Sequence, residues 1–253
     1  MPMRLYIKRI AKTVCGLFFC AFGIYASIQA NIGLSPWSAL AMGISIKCGI
    51  SYGVTEVMLS LVVLLAACLF KEKIGAGTLL DAALVGMFVN FFNHTGIIPQ
   101  QNNMVYGMLV LLMGLSCIAV GTYFYIRTGL GCGPRDALMV ALGKRFARVP
   151  IGLVRAGLEG CVLLAGWLLG GKVGIGTVVS VVGTGLLLQM TFSLFRFDAK
   201  GVRHENLLAT MRTMTGLLKK YPGKQPEKAA NGEKAALAHA ADTIKKQMDM
   251  EKP

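Results

Sequence analysis

Hydrophobic positions in this chain do not alternate, and they do not form stripes on a single helical face. They form long runs with few polar interruptions. Six runs, roughly 12–32, 53–70, 75–93, 104–126, 151–170 and 174–195, are long enough to cross a hydrocarbon layer as helix, which takes about 20 residues. Two shorter segments, Pro36 to Cys48 and Pro134 to Phe146, follow the first and fourth runs. Each begins with proline, which suits the first turn of a helix because its missing N–H leaves no gap there. At about 1.5 Å per residue neither crosses a bilayer alone, so both are expected to be short re-entrant or interfacial helices.

Composition agrees with this pattern. The chain is 55% hydrophobic and only 15% charged, with mean hydropathy +0.60, whereas a soluble domain carries about 25% charged residues. Residues 13 to 70 contain only Lys47 and Glu56 as charged groups. The net charge of +14 suggests nucleic acid at first sight. The basic residues of the first 195 positions, however, lie between the apolar runs, where a membrane protein carries its cytoplasmic loops, so no nucleic-acid partner is expected. Arg4, Lys8, Arg9 and Lys12 followed by an apolar run imitate a secretory signal, but the run from Thr13 to Ala30 is longer than the roughly 7–15 residues of a signal core. The basic groups before run one, between runs two and three (Lys71, Lys73), between runs four and five (Arg127 to Arg148) and after Phe195 all fall on one side of a six-span path. Both termini are then cytoplasmic, and only Lys47 and Lys172 lie outside. The competing path, in which Pro36–Cys48 crosses fully, exports Lys71 and Lys73.

The chain also repeats itself. FGIYASIQANIGLSPWSAL from Phe22 aligns with VGTYFYIRTGLGCGPRDAL from Val120 at an offset of 98, and KIGAGT from Lys73 aligns with KVGIGT from Lys172 at an offset of 99. The matches pair Gly, Pro, Lys and Tyr in order, which chance alignment of apolar sequence does not do. Three spans per unit is an odd number, so the second unit enters the membrane upside down. The expected fold is therefore all-α and transmembrane, with six spans as two inverted three-span repeats. Repeat one covers about 12–93 and repeat two about 104–195, within a membrane domain of 1–195 followed by a basic tail, 196–253. Inverted repeats recur in secondary transporters, whose solute sites lie where broken helices meet.

Two glycine-proline elbows are the first candidates for a solute site. One is Gly33, Ser35, Pro36, Trp37 and Ser38; the other is Gly131, Gly133, Pro134, Arg135 and Asp136. Glycine permits close backbone approach, and a helix that starts at such an elbow presents free N–H groups to an anion or carboxylate. The plainer alternative is that each elbow only turns the chain. Glu56, Arg155 and Glu159 are ionisable residues within apolar runs and are functional candidates on that ground. Glu56 and Arg155 are 99 apart and could meet across the repeat axis, whereas Arg155 and Glu159, four apart, could simply neutralise each other. Asp81, whose counterpart is Ser180, reads as a helix-terminal charge. The KxGxGT pairs lack a phosphate-loop lysine and fit close helix packing. Seven cysteines without a C-x-x-C pair, three scattered histidines and no nucleophile–base set leave no expected cofactor, metal site or enzymatic activity. Within the tail, His204 to Lys220 has the pattern of a basic amphipathic helix suited to anionic lipid.

The GLSPWSAL elbow, GCGPRDALM at Gly131–Met139, the Arg155/Glu159 pair and GWLLGGKVGIGT at Gly166–Thr177 together resemble the YczE/YitT-like family of bacterial membrane proteins. That resemblance covers about 10–195 and implies a bacterial plasma-membrane location. The sequence favours a transporter or permease for a small polar or anionic solute. The alternative is a non-transporting scaffold or regulator acting through the tail. Oligomeric state is left open.

Overall fold

A computed structural model describes residues 3–70, 75–146, 148–149 and 151–196. The expected tail helix over 204–220 and the Lys71/Lys73 loop lie outside the described residues. Eight helices follow in chain order: α1 (Met3–Ala30), α2 (Pro36–Cys48), α3 (Tyr52–Leu69), α4 (Ala76–Thr95), α5 (Met104–Ile126), α6 (Pro134–Arg145), α7 (Ile151–Leu168) and α8 (Ile175–Leu194). Five of them, α1 (from Tyr6), α3, α4, α5 and α8, are long and apolar enough to cross a membrane, among the described residues. Helix is the expected form, because inside hydrocarbon each backbone N–H and C=O must find its partner within the segment.

The helix ends explain why the runs stop where they do. α2 and α6 open on their prolines. α5 is capped by the Asn103 side chain, which accepts from Val105 N–H at 2.8 Å. α4 and α8 start identically: the N–H groups of Gly75 and Gly174 donate to Thr78 and Thr177 Oγ1 at 3.3 and 3.2 Å. α1 begins nine residues before the apolar run does, at Met3. Its extra turns carry Arg9, whose guanidinium donates to the Thr128 carbonyl just beyond α5, at 2.8 and 2.6 Å. A cation there favours the C-terminal end of a helix dipole.

The core is largely apolar with hydroxylic residues among it, and the surface is apolar too. Large apolar side chains face outward, among them Val62 and Leu65 at 64% and Met190 at 67% exposure, while Thr13, Thr55, Glu56, Thr78 and Ser180 are buried. Such a surface suits lipid contact, and small or hydroxylic residues inside let helices approach closely.

α1 and α5, which occupy equivalent places in the sequence repeat, cross as the central antiparallel pair. A Cβ on Gly16 would lie 2.7 Å from the Gly121 carbonyl oxygen, and one on Gly23 would lie 2.3 Å from that of Gly114. Gly16 and Gly114 are 98 apart, as are Gly23 and Gly121, so the two close crossings are each other's counterparts.

The elbows are exchanged in the same reciprocal way. Leu34 N–H donates to the Lys172 carbonyl at 3.0 Å and Gly176 N–H to that of Ile32 at 2.9 Å, at the end of the bundle where α1 finishes. Gly77 N–H donates to the Leu130 carbonyl at 2.8 Å, and Thr78 Oγ1 to that of Cys132 at 2.6 Å, at the opposite end. Each elbow is therefore held by the KxGxGT segment of the other half. Gly33 and Gly131 sit at φ of 126° and 140°, which L side chains rarely adopt.

One pair of counterpart contacts is unequal. α3 and α4 pack tightly near the end where α1 finishes: a Cβ on Gly53 would lie 2.1 Å from the Gly86 carbonyl oxygen, and Asn90 Nδ2 donates to Ser51 Oγ at 3.0 Å. The equivalent helices, α7 and α8, scarcely touch. Gly185, the counterpart of Gly86, has nothing within 4 Å of where a Cβ would stand.

Candidate functional site

A cavity of about 250 Å³ lies between the two halves. That is near the lower edge of small-molecule pockets, which run about 300–1,000 Å³. Both elbows reach it. Ser35, Pro36, Trp37 and Ser38 line it from one, and Gly133, Pro134, Arg135 and Asp136 from the other. Glu56, Arg155 and Glu159 complete the candidates that the cavity brings together. Gly33 and Gly131 do not line it. They pack against Thr177 and Thr78 respectively, so their part is to set the elbows rather than to touch a solute.

The lining comes in counterparts. Ser35 and Gly133, Pro36 and Pro134, and Trp37 and Arg135 are 98 apart; Glu56 and Arg155, Ser60 and Glu159, and Asp81 and Ser180 are 99 apart, and every one of these residues faces the cavity. The cavity is thus lined from both halves of the sequence repeat.

Charge is organised in pairs. Arg135 Nη2 donates to Glu56 Oε1, and Tyr52 Oη donates to the other carboxylate oxygen at 3.4 Å. The Glu56 side chain is 3% exposed, so its charge depends on these partners. The Arg135 guanidinium also lies over the Trp37 ring, 5.3 Å from its centroid, a cation–π contact that joins the two elbows directly. The sequence allows Glu56 to meet Arg155; instead Glu56 is held by Arg135. Arg155 Nε donates to Glu159 Oε1 at 2.9 Å, one helical turn on. The reason is place: Arg135 starts from an elbow that lines the cavity, whereas Arg155 sits on α7, which packs on α2 and scarcely touches α8.

The Arg155 side chain is 52% exposed. It borders both the cavity and a more open depression between α7 and α8 formed with Gly185, Gln189 and Arg196. The cavity and this depression meet at Arg155 and Leu188, which line both. The depression lies toward the end where α1 begins, where the Tyr123 and Phe195 rings stack at 4.5 Å.

Asp81 is more than a helix-terminal charge. Its Oδ2 lies 2.6 Å from where a Cβ on Gly133 would stand, so the carboxylate is set against the residue that caps α6. Its counterpart Ser180 is 1% exposed, and its Oγ is the buried side-chain polar atom without a hydrogen-bond partner among the described residues. Both residues belong to the site. Their signal in sequence was positional: each falls on one turn of its helix after the KxGxGT glycines.

The family of the chain is decided by comparison. Residues 7–193 match DUF6198, a family of unknown function. The chain belongs to that family. It is 33% identical over 180 residues to the uncharacterized membrane protein YczE of Bacillus subtilis (strain 168), covering 70% of this chain and 81% of that one. An uncharacterized protein of Haemophilus influenzae (strain ATCC 51907 / DSM 11121 / KW20 / Rd) is 32% identical over 187 residues, covering 74% of this chain and 84% of its own. No solved structure matches. The match spans all eight helices that build the cavity and ends where the basic tail begins, so a multi-pass membrane protein of the YczE type is what the family and the helices share.

Proposed function

We propose that this protein is a bacterial inner-membrane transporter for a small polar solute, built as two inverted three-span repeats with α7 as the sixth span and both termini cytoplasmic. The observation that carries this is the single cavity lined by counterpart residues from both elbows. A non-transporting scaffold has no need of a wet, charged space on its internal axis, because each ionisable group there is unfavourable in a membrane interior.

The unequal gates support the same reading. With cytoplasmic termini, the closed α3–α4 contact faces outside and the parted α7–α8 pair faces the cytoplasm. The state is therefore inward-open. Exchanging the conformations of the two halves closes α7 on α8 and parts α3 from α4, which presents the cavity to the other side. In this account Gly53 and Gly86 form the outer gate, with the Ser51–Asn90 hydrogen bond as its latch.

The test uses the full chain purified in detergent and a library of small amines, acids, amino acids, sugars and inorganic ions. At least one solute is expected to raise the melting temperature, and the combined variant Glu56→Gln, Arg135→Gln, Arg155→Gln is expected to lose that shift. A shift that persists unchanged in the variant contradicts the proposal.

A further inference from the structure

The two elbows are counterparts, but their helix N-termini face different chemistry. α6 is met by a carboxylate of the protein's own, Asp81, set against its capping residue Gly133, and Asp136 stands in its first turn. At α2 both acids are replaced by hydroxyls: Ser180 stands where Asp81 would, and Ser38 where Asp136 would. α2 is 13 residues long, and its first turn carries the partial positive charge and free N–H groups that favour an anion. Its capping residue, Ser35, makes no capping bond; the hydroxyl donates instead to Ser38 Oγ at 2.9 Å.

The second observation is independent of the helix. Ser180 Oγ is buried, lines the same cavity as Ser35 and Ser38, and has no partner. Buried hydroxyls are nearly always hydrogen-bonded. An uncapped helix start and an orphan hydroxyl share one cavity, at the position where the other half supplies a carboxylate. Here the carboxylate is left to be brought in.

The remaining charges limit what else the ligand carries. The cavity holds the carboxylates of Glu56, Asp81, Asp136 and Glu159 against the guanidiniums of Arg135 and Arg155. Glu56 is taken up by Arg135 and Glu159 by Arg155. Asp81 is a further carboxylate on the lining, set at the α6 elbow. A bare anion meets repulsion from it, whereas a molecule with a cationic group as well does not.

We infer that the solute is a small zwitterion of amino-acid size. Its carboxylate binds at the N-terminus of α2 with Ser180, and its ammonium lies toward Asp81 at the N-terminus of α6. This rests on the cavity being a solute site, as proposed above.

The experiment measures the thermal shift of the purified full chain with each of the twenty L-amino acids. Each amino acid that stabilises is then compared with its N-acetyl and methyl-ester derivatives. The expected result is stabilisation by at least one amino acid, with at least tenfold weaker apparent affinity for both derivatives. Ser180→Asp, which restores the counterpart carboxylate, is expected to weaken binding at least tenfold, and Ser180→Ala several-fold; size-exclusion profiles check that both variants fold. Asp81→Asn is expected to spare binding of the N-acetyl derivative while weakening that of the amino acid. If the methyl ester or a simple amine binds as tightly as the amino acid, the carboxylate subsite is wrong while the solute cavity stands. If neither amino acids nor the wider library stabilise the protein, both readings fall.

Discussion

At the residue scale, the chemistry rests on one buried carboxylate and its partners. Glu56 is held by Arg135 and Tyr52, and Arg135 is held in turn by the Trp37 ring. Removing one member of a buried pair leaves the other charge uncompensated, which costs on the order of 3 kcal/mol. Glu56→Gln is therefore expected to lower stability by about that amount in denaturant unfolding of the purified protein. The double variant Glu56→Gln, Arg135→Gln should recover part of the loss, since the coupling belongs to the pair. Strict additivity of the two single losses would show that the pair contributes no coupling. A second contrast concerns glycine. Gly33→Ala and Gly131→Ala place a methyl at positive φ against the backbone and hydroxyl of the facing threonine, and should each cost about 1–3 kcal/mol. Gly49 and Gly96 also have positive φ but have open space around them, so alanine there should cost less than in the elbows. Equal losses at all four positions would mean that the elbow contacts add nothing beyond the backbone strain.

At the element scale, the helices were legible because their apolar runs are long and their stops are chemical. Pro36 and Pro134 mark starts that the structure reproduces. The upstream extension of α1 was not legible, because Arg9 looks like a loop charge until its partner, the Thr128 carbonyl 119 residues away, is in view. Likewise the repeat offset pairs Glu56 with Arg155 on paper, but reach and helix packing give Glu56 to Arg135. Sequence spacing identifies counterparts; it does not say which of them touch. The inequality of the α3–α4 and α7–α8 contacts was also invisible, since a sequence repeat does not say how closely counterpart helices pack. It yields a prediction about elements. Ser51→Cys with Asn90→Cys, in a background without the exposed native cysteines, should form a disulfide that holds α3 to α4. Transport of the solute identified by thermal shift, measured in vesicles, should stop on oxidation and return on reduction. Undiminished transport in the oxidised protein would exclude that contact as a moving gate.

At the scale of the whole molecule, the reciprocal crossings of α1 with α5 and the exchange of elbows between halves define a closely packed centre, with the α3–α4 and α7–α8 pairs beside it. The centre holds two glycine crossings in which backbone meets backbone, so it leaves little room for change. The peripheral pairs differ from each other although their sequences are counterparts, so one sequence pattern is compatible with both an open and a closed arrangement. The exchange proposed above is a collective rearrangement, a class of motion that runs in the microsecond to millisecond range. It needs no change in the elbows themselves. The basic tail is not required by this account, and removing residues 197–253 should leave solute binding by the membrane domain intact.

The proposed function requires that the two elbows enclose one water-accessible cavity that opens to either side in turn. Accessibility of a single cysteine at Trp37 tests it most directly, in an otherwise cysteine-free chain in sealed vesicles of both orientations, with a small, charged, membrane-impermeant thiol reagent. Labelling is expected from both faces in that chain, and from the cytoplasmic face alone in a second chain that also carries Ser51→Cys and Asn90→Cys, oxidised to each other before labelling. No labelling from either face, in a variant that still folds, would mean that the elbows are packed and dry, and would contradict it.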